Sequence, residues 1–288
     1  MRIGNVNKNL ALVFPGQGAQ FPGMGRELYQ KSVAAKNIFD IAEKIRKGTI
    51  DQIFSASKEE LSLTINTQPC IFTVSLAFSE SLKEQGVFAG AAAGFSAGEA
   101  AALTYAGVLS FEDGFKTVCK RAELMSDAAS KTKGSMAAVL RLGEEDVLKL
   151  CEKSGVYAVN FNCPGQIVVS GEERSMAEFC EKVNQAGGRA LPLAVSGAFH
   201  SPYMTNASEE FLEYLKTVRI SAPKIPVYAN LNAKPYGNDI IDTFSKQMKS
   251  PVLWQQSIQN MMGEGITEFI EAEPGKVLTG LINKIKGV

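Results

Sequence analysis

The sequence predicts an α/β protein in which a mainly parallel sheet is interrupted by a small inserted domain of ferredoxin-like order. Three observations carry that expectation. Apolar runs of strand length alternate with segments of helical period on both sides of the chain's middle, the texture of a parallel sheet covered by helices. Between Gly134 and Phe199 the order becomes strand, helix, strand, strand, helix, strand, which is the βαββαβ order of a ferredoxin-like unit. The pentapeptide Gly94-Phe95-Ser96-Ala97-Gly98 matches G-x-S-x-G, whose glycines permit the tight strand-to-helix turn of an α/β-hydrolase-like sheet. The expected organisation is a discontinuous large domain over 1–132 and 198–288, with 133–197 as the insert.

Taken in order, the first strand is the buried run Leu10 to Phe14, stopped by the turn Pro15-Gly16-Gln17-Gly18. That run is too short for the apolar region of a signal peptide. A helix begins around Gly25 to Tyr29, and helical periodicity returns in Ser32 to Arg46 and in Cys70 to Gln85, where Pro69 fits a first-turn proline. The stretch Phe88 to Leu109 has the length of a membrane span but holds Gly94, Ser96, Gly98, Glu99 and Gly107. It reads as a strand (Ala89 to Ala93), a turn and a helix from Glu99. The inserted unit follows as Ser135–Leu140, Glu144–Lys153, Tyr157–Asn162, Gln166–Ser170, Ser175–Gln185 and Arg189–Val195. The chain returns through a helix at Ser208–Thr217, a strand at Val227–Asn230, a helix at Val252–Met262, a strand at Glu268–Glu271 and a last helix after Gly275.

Composition narrows the function classes. With 288 residues, 45% of them hydrophobic and 21% charged, the chain has the make-up of an ordinary globular protein. Lys and Arg number 30 and Asp and Glu 30, so no basic excess points to nucleic acid or to an anionic membrane surface. The five cysteines form no C-x-x-C pair and none sits in a nucleophile-like turn, so reduced, mostly buried thiols and a cytoplasmic location are expected.

The chemistry-bearing residues are few. A serine between glycines at a strand-to-helix turn presents its hydroxyl above the sheet, and the helix that follows aims free amides at a developing oxyanion. The same pattern also suits a serine that merely caps a helix. Serine needs a general base, and the chain contains one histidine, His200, where the insert rejoins the large domain. A single histidine rules out multi-histidine zinc sites. Gly16-Gln17-Gly18 fails as a dinucleotide fingerprint because its third glycine would fall at Phe21. No P-loop pattern occurs, and no cofactor is expected.

Several segments occur together: Phe14 to Gln20, Gly94 to Glu99, Lys120 to Met125 (KRAELM), Asn160 to Gly171 (NFNCPGQIVVSG), Gly197 to Pro202, Ser250 to Trp254 and Pro274 to Gly280. In this order they resemble the malonyl-CoA:acyl-carrier-protein transacylase family, including the stand-alone acyltransferases that serve polyketide synthases. The resemblance runs from about Leu10 to the C-terminus. It implies that Ser96 attacks a malonyl thioester from malonyl-CoA, that His200 is its base, and that a malonyl-serine ester passes to the phosphopantetheine thiol of an acyl carrier protein, for fatty-acid or polyketide synthesis. It further implies an oxyanion hole from the backbone amides of Gln17 and Ala97, a main-chain carbonyl at Gln247 in place of the usual triad carboxylate, and Arg121 as partner of the malonyl carboxylate. Asn162 and Phe199 are implied as cleft residues, with the Phe199 ring crowding an α-methyl group. The family also implies a monomer. The sequence departs from the family pattern at Phe95, where histidine is usual, and at Ala97, where a larger aliphatic residue is usual. Two rival readings are an acyl hydrolase of the same fold and a non-catalytic carrier-docking subunit. Retention of Arg121 argues against the first, and retention of Ser96 with His200 against the second.

Overall fold

The computed structural model describes residues 6–195 and 197–288. Residues 1–5 and Ser196, which fall within the expected domain boundaries, lie outside the described residues. Among the described residues the strands are β1 (Asn7–Phe14), β2 (Ala89–Gly94), β3 (Gly134–Leu140), β4 (Tyr157–Cys163), β5 (Gln166–Glu172), β6 (Arg189–Pro192), β7 (Val227–Tyr228) and β8 (Glu268–Glu271).

They form two sheets. The first has the order β7-β2-β1-β8 with every pairing parallel. A parallel sheet is covered on both faces, and Leu10 to Phe14 are accordingly all buried. β2 is built of alanine and glycine, which lets neighbouring backbone come close: a Cβ on Gly90 would lie 2.7 Å from the Asn7 carbonyl oxygen. The second sheet has the order β4-β5-β3-β6 with every pairing antiparallel, which is the ferredoxin-like order. The helices Glu144–Glu152 and Glu173–Gln185 bury Val147, Phe179 and Val183 with Val139 and Val169 of this sheet.

One hydrophobic cluster joins the two halves. Met136, Ala138 and Val168 of the small sheet share it with Leu12, Phe14, Phe72, Phe115 and Phe199. Two backbone bonds tie β4 to the other half as well, from Phe161 N to Val252 O at 3.0 Å and from Val252 N to Val159 O at 2.8 Å. The small sheet therefore stands over the ends of β1 and β2, and a cleft is left between.

Two long helices back the sheet. Phe111–Lys131 is capped by Ser110, whose hydroxyl accepts from Asp113 N at 3.0 Å. Its neighbour spans Thr64–Glu84, so it starts earlier than the expected Cys70 and places Pro69 inside the helix rather than in its first turn. The start is fixed by Asn66 and Thr67, whose amides both reach the Leu63 carbonyl at 2.8 Å. Proline there forfeits the bond to the Ile65 carbonyl, a cost carried by the burial of most of the helix. Short helices at Thr49–Ser55, Lys58–Ser62 and Ile240–Lys246 have no counterpart in the sequence reading. No helix among the described residues is long and apolar enough to cross a membrane. All five cysteines are free; Cys70, Cys151 and Cys163 are buried, and Cys119 and Cys180 partly so.

Candidate active site

The turn between β2 and the helix Gly98–Tyr105 is shaped by glycine. A Cβ on Gly94 would lie 2.1 Å from the Gly98 carbonyl, and one on Gly98 would lie 2.2 Å from the Phe14 carbonyl oxygen. Neither distance is tolerable for a real side chain, so the spacing of the pentapeptide follows from backbone packed on backbone. Between them Ser96 takes a left-handed conformation, φ 51°, which strains a non-glycine residue by on the order of 1 kcal/mol or more. The strain turns the hydroxyl out of the strand and toward the cleft.

The Ser96 hydroxyl donates to His200 Nε2 at 2.7 Å, and His200 Nδ1 donates to the main-chain oxygen of Gln247 at 3.0 Å. Because a carbonyl oxygen only accepts, the ring proton sits on Nδ1 and leaves Nε2 as the base. His200 is buried, and that burial, followed by the charge of Arg121, pushes its pKa down to about 4. The imidazole is therefore neutral, and able to take a proton, throughout the neutral range.

Arg121 is fully buried on the inner face of the helix Phe111–Lys131, while Lys120 and Glu123 pair on the outside at 2.8 Å. Nη1 donates to Gln68 Oε1 at 2.8 Å, and Nη2 donates to Gln247 Oε1 at 2.8 Å and to Ser96 Oγ at 3.3 Å. Burial lowers its pKa to about 10, with the charge of Glu99 opposing, so it stays a cation at neutral pH. Among the described residues Nε has no partner. Among the described residues its hydrogen-bond partners are two neutral amides and the Ser96 hydroxyl, with no carboxylate in direct contact, a set that suits an incoming anion. Ser96 and Gln68 line the cleft in front of it.

The cleft encloses about 240 Å³. Its walls are apolar, from Met125, Met136, Val168, Phe199 and Leu278, with Asn160, Asn162 and Gln166 as polar points. Asn160 Oδ1 and Asn162 Oδ1 are buried and have no partner among the described residues. Gln17 lines the cleft and Ala97 follows the nucleophile as the helix N-cap. Neither amide donates a hydrogen bond among the described residues. Phe95 lines the wall and packs edge-on against Trp254, centroids 5.5 Å apart.

The structure thus brings Ser96, His200, Arg121 and Gln247 into one hydrogen-bonded group and sets Gln17, Asn162 and Phe199 on the cleft beside it. Sequence reasoning missed Gln68, Asn160 and Asn230. Asn160 stands two residues before Asn162 on a strand, and that alternation was a usable signal. Gln68 and Asn230 carry none, since each is defined by partners far along the chain.

The acyl transferase domain family matches residues 11–285. A malonyl CoA-acyl carrier protein transacylase of Bacillus subtilis (strain 168) is 42% identical over 285 residues, covering 96% of this chain and 90% of the relative. The crystal structure of a malonyl CoA-acyl carrier protein transacylase from Clostridium perfringens superposes with a TM-score of 0.93 at 36% identity, over 97% of this chain and 90% of that one. A malonyl-transacylase solved in complex with its holo type II PKS acyl-carrier protein gives 0.94 at 31% identity, over 97% and 93%.

Proposed function

The chain belongs to the acyl transferase domain family, and from that premise we propose that it transfers a malonyl group from malonyl-CoA to the phosphopantetheine thiol of an acyl carrier protein. The observation that carries this reading is the position of the Ser96 hydroxyl, 2.7 Å from the base His200 and 3.3 Å from the buried guanidinium of Arg121. A hydroxyl beside a base attacks thioesters; a hydroxyl beside a base and a fixed cation favours an acyl group that ends in a carboxylate.

In the first half-reaction Ser96 Oγ attacks the thioester carbonyl as His200 Nε2 takes its proton. The oxyanion of the tetrahedral adduct meets the amides of Gln17 and Ala97. The carbon–sulfur bond breaks, and the CoA sulfur leaves with the proton from His200. The Nδ1–H bond to Gln247 holds the ring in place and stabilises it while it is charged. In the second half-reaction His200 removes the proton of the carrier's thiol, the sulfur attacks the malonyl ester, and Ser96 recovers its proton as it leaves. Arg121 holds the malonyl carboxylate in both halves. Three of its five N–H groups are engaged in the free protein, one of them on Ser96 itself, at the point where the malonyl ester forms. Asn162 and Asn160 offer their unpaired oxygens to the amide N–H groups of a pantetheine arm, and Phe199 crowds the α-carbon. The reading requires no cofactor, and a single-copy enzyme of the cytoplasm goes with it; light scattering of the purified chain tests the monomer.

Incubation with radiolabelled malonyl-CoA, with and without a holo acyl carrier protein, tests the function. Label held on Ser96 and passed to the carrier is the expected result. Prompt release of malonate without a carrier would mean a hydrolase instead, and absence of label would mean a docking subunit. The same chemistry serves fatty-acid and polyketide synthesis.

A further inference from the structure

We propose that Asn230 is the positioning residue of this site: buried behind the nucleophile, it locks the Ser96 turn and the Gln247 amide into one frame. The proposal rests on the acyl-transfer reading and adds to it a residue that touches no substrate.

Asn230 follows β7, is fully buried and stands behind the cleft wall. Among the described residues its side chain bonds to Gly94, Ser96 and Gln247. Oδ1 accepts from Ser96 N at 2.8 Å and from Gln247 Nε2 at 3.2 Å, and Nδ2 donates to the Gly94 carbonyl at 2.6 Å. Its main chain is pinned as well, with N donating to Glu99 Oε1 at 2.9 Å and O accepting from Leu253 N at 3.0 Å. Tyr236 donates to the same Glu99 oxygen at 2.8 Å.

Two consequences follow. The last amide of β2's run to pair with β1 is Phe95 N, on the Phe14 carbonyl at 2.9 Å. At φ 51° the Ser96 amide leaves that ladder, and Asn230 supplies the acceptor that a left-handed serine would otherwise lack. Asn230 also decides which way the Gln247 amide faces. Oδ1 of Asn230 and the Ser96 carbonyl, at 2.9 Å, both require the NH₂ end, so the oxygen end is the one presented to Arg121. A flipped Gln247 would set an NH₂ group against the guanidinium. One asparagine thus governs the nucleophile directly and the cation through the Gln247 side chain, and it anchors the residue whose main-chain oxygen orients His200. Aspartate cannot replace it, because a carboxylate oxygen would face the Gly94 carbonyl where Nδ2 now donates.

The test compares the parent with Asn230→Ala, Asn230→Asp and Asn230→Ser. The folded fraction is taken from circular dichroism and thermal melting. Two rates are then read per folded molecule: Ser96 labelling by a fluorophosphonate, which needs no acyl substrate, and kcat for malonyl transfer to a holo carrier. Displacing a catalytic group by about 1 Å costs on the order of 100-fold, and a loss of that order is expected in both rates for Asn230→Ala. Because the residue acts through Gln247, Asn230→Ala combined with Gln247→Ala should fall little below the worse single variant. Asn230→Ser retains a small polar group, keeping the comparison open if the alanine variant unfolds. Rates per folded molecule within threefold of the parent in the folded variants would overturn the proposal, as would effects that multiply in the double variant. A parent that labels at Ser96 but transfers no malonyl group defeats the functional reading alone, and the labelling comparison still decides the role of Asn230.

Discussion

At the scale of the residue, the site's character depends on charges kept from water. Truncating one member of a buried charge pair costs on the order of 2 to 5 kcal/mol, so Arg121→Ala should lower kcat/KM for malonyl-CoA by roughly 30-fold to several thousand-fold. Acetyl-CoA, lacking the carboxylate, should be handled at least as well as before, because the variant also removes a buried cation. The ratio of the two specificity constants is the quantity to measure; an equal loss for both would assign Arg121 to the fold. His200→Ala should reduce turnover by roughly two to four orders of magnitude. In the parent, the acid limb of kcat/KM should lie near pH 4, where burial and Arg121 place the His200 pKa, and a limb at the ordinary histidine value would contradict its desolvation. Ser96, His200 and Arg121 were legible because a motif, a count of one and a family segment each singled out a residue type. Gln68 and Asn230 were not, because an amide acquires its meaning only from the atoms folding brings to it.

Elements were legible to the degree that their pattern is local. Every strand and helix of the small sheet's unit is legible, since each has its own period and its own turn, although its last strand ends at Pro192 rather than at Val195. The start of the helix Thr64–Glu84 is not legible, because most of the helix is buried, which erases the amphipathic stripe, and Pro69 invites a boundary drawn too late. The close approach of β1, β2 and the helix Gly98–Tyr105 supports a prediction at this scale. Gly98→Ala places a methyl carbon 2.2 Å from the Phe14 carbonyl oxygen, so backbone must move. A loss of roughly 1 to 3 kcal/mol is expected in urea unfolding, together with slower Ser96 acylation. A stable and fully active Gly98→Ala protein would show that the turn yields more easily than its packing implies.

Over the whole molecule, the two sheets share a core cluster, and the protonation of the groups between them is linked to folding. His200 is the chain's only histidine, so its contribution can be isolated against a His200→Gln variant. Its folded pKa is depressed to about 4 from the ordinary 6.5; the unfolded chain binds the proton more readily, and stability due to the neutral ring is lost as pH falls from 6.5 toward 4. The parent's advantage over the variant should shrink by roughly 3 kcal/mol at most across that window. Glu99 acts oppositely: burial raises its pKa to about 7, so its contribution weakens as pH rises from 4.5 to 7. Urea melts of both proteins at several pH values read the difference, and a constant gap would mean that the ring is hydrated in solution.

The five free cysteines acquire a meaning beside this chemistry. Each turnover releases one thiol, that of CoA, and admits another, that of the carrier, within a protein that holds its own unpaired sulfurs. Burial raises the pKa of all five, to about 12 at Cys70 and Cys151 and about 11 at Cys119. Disulfide exchange proceeds through the thiolate, and these side chains remain protonated in the neutral range. None of them lines the cleft among the described residues, so the sulfhydryls that enter and leave at each turnover are expected to exchange only slowly with the protein's own.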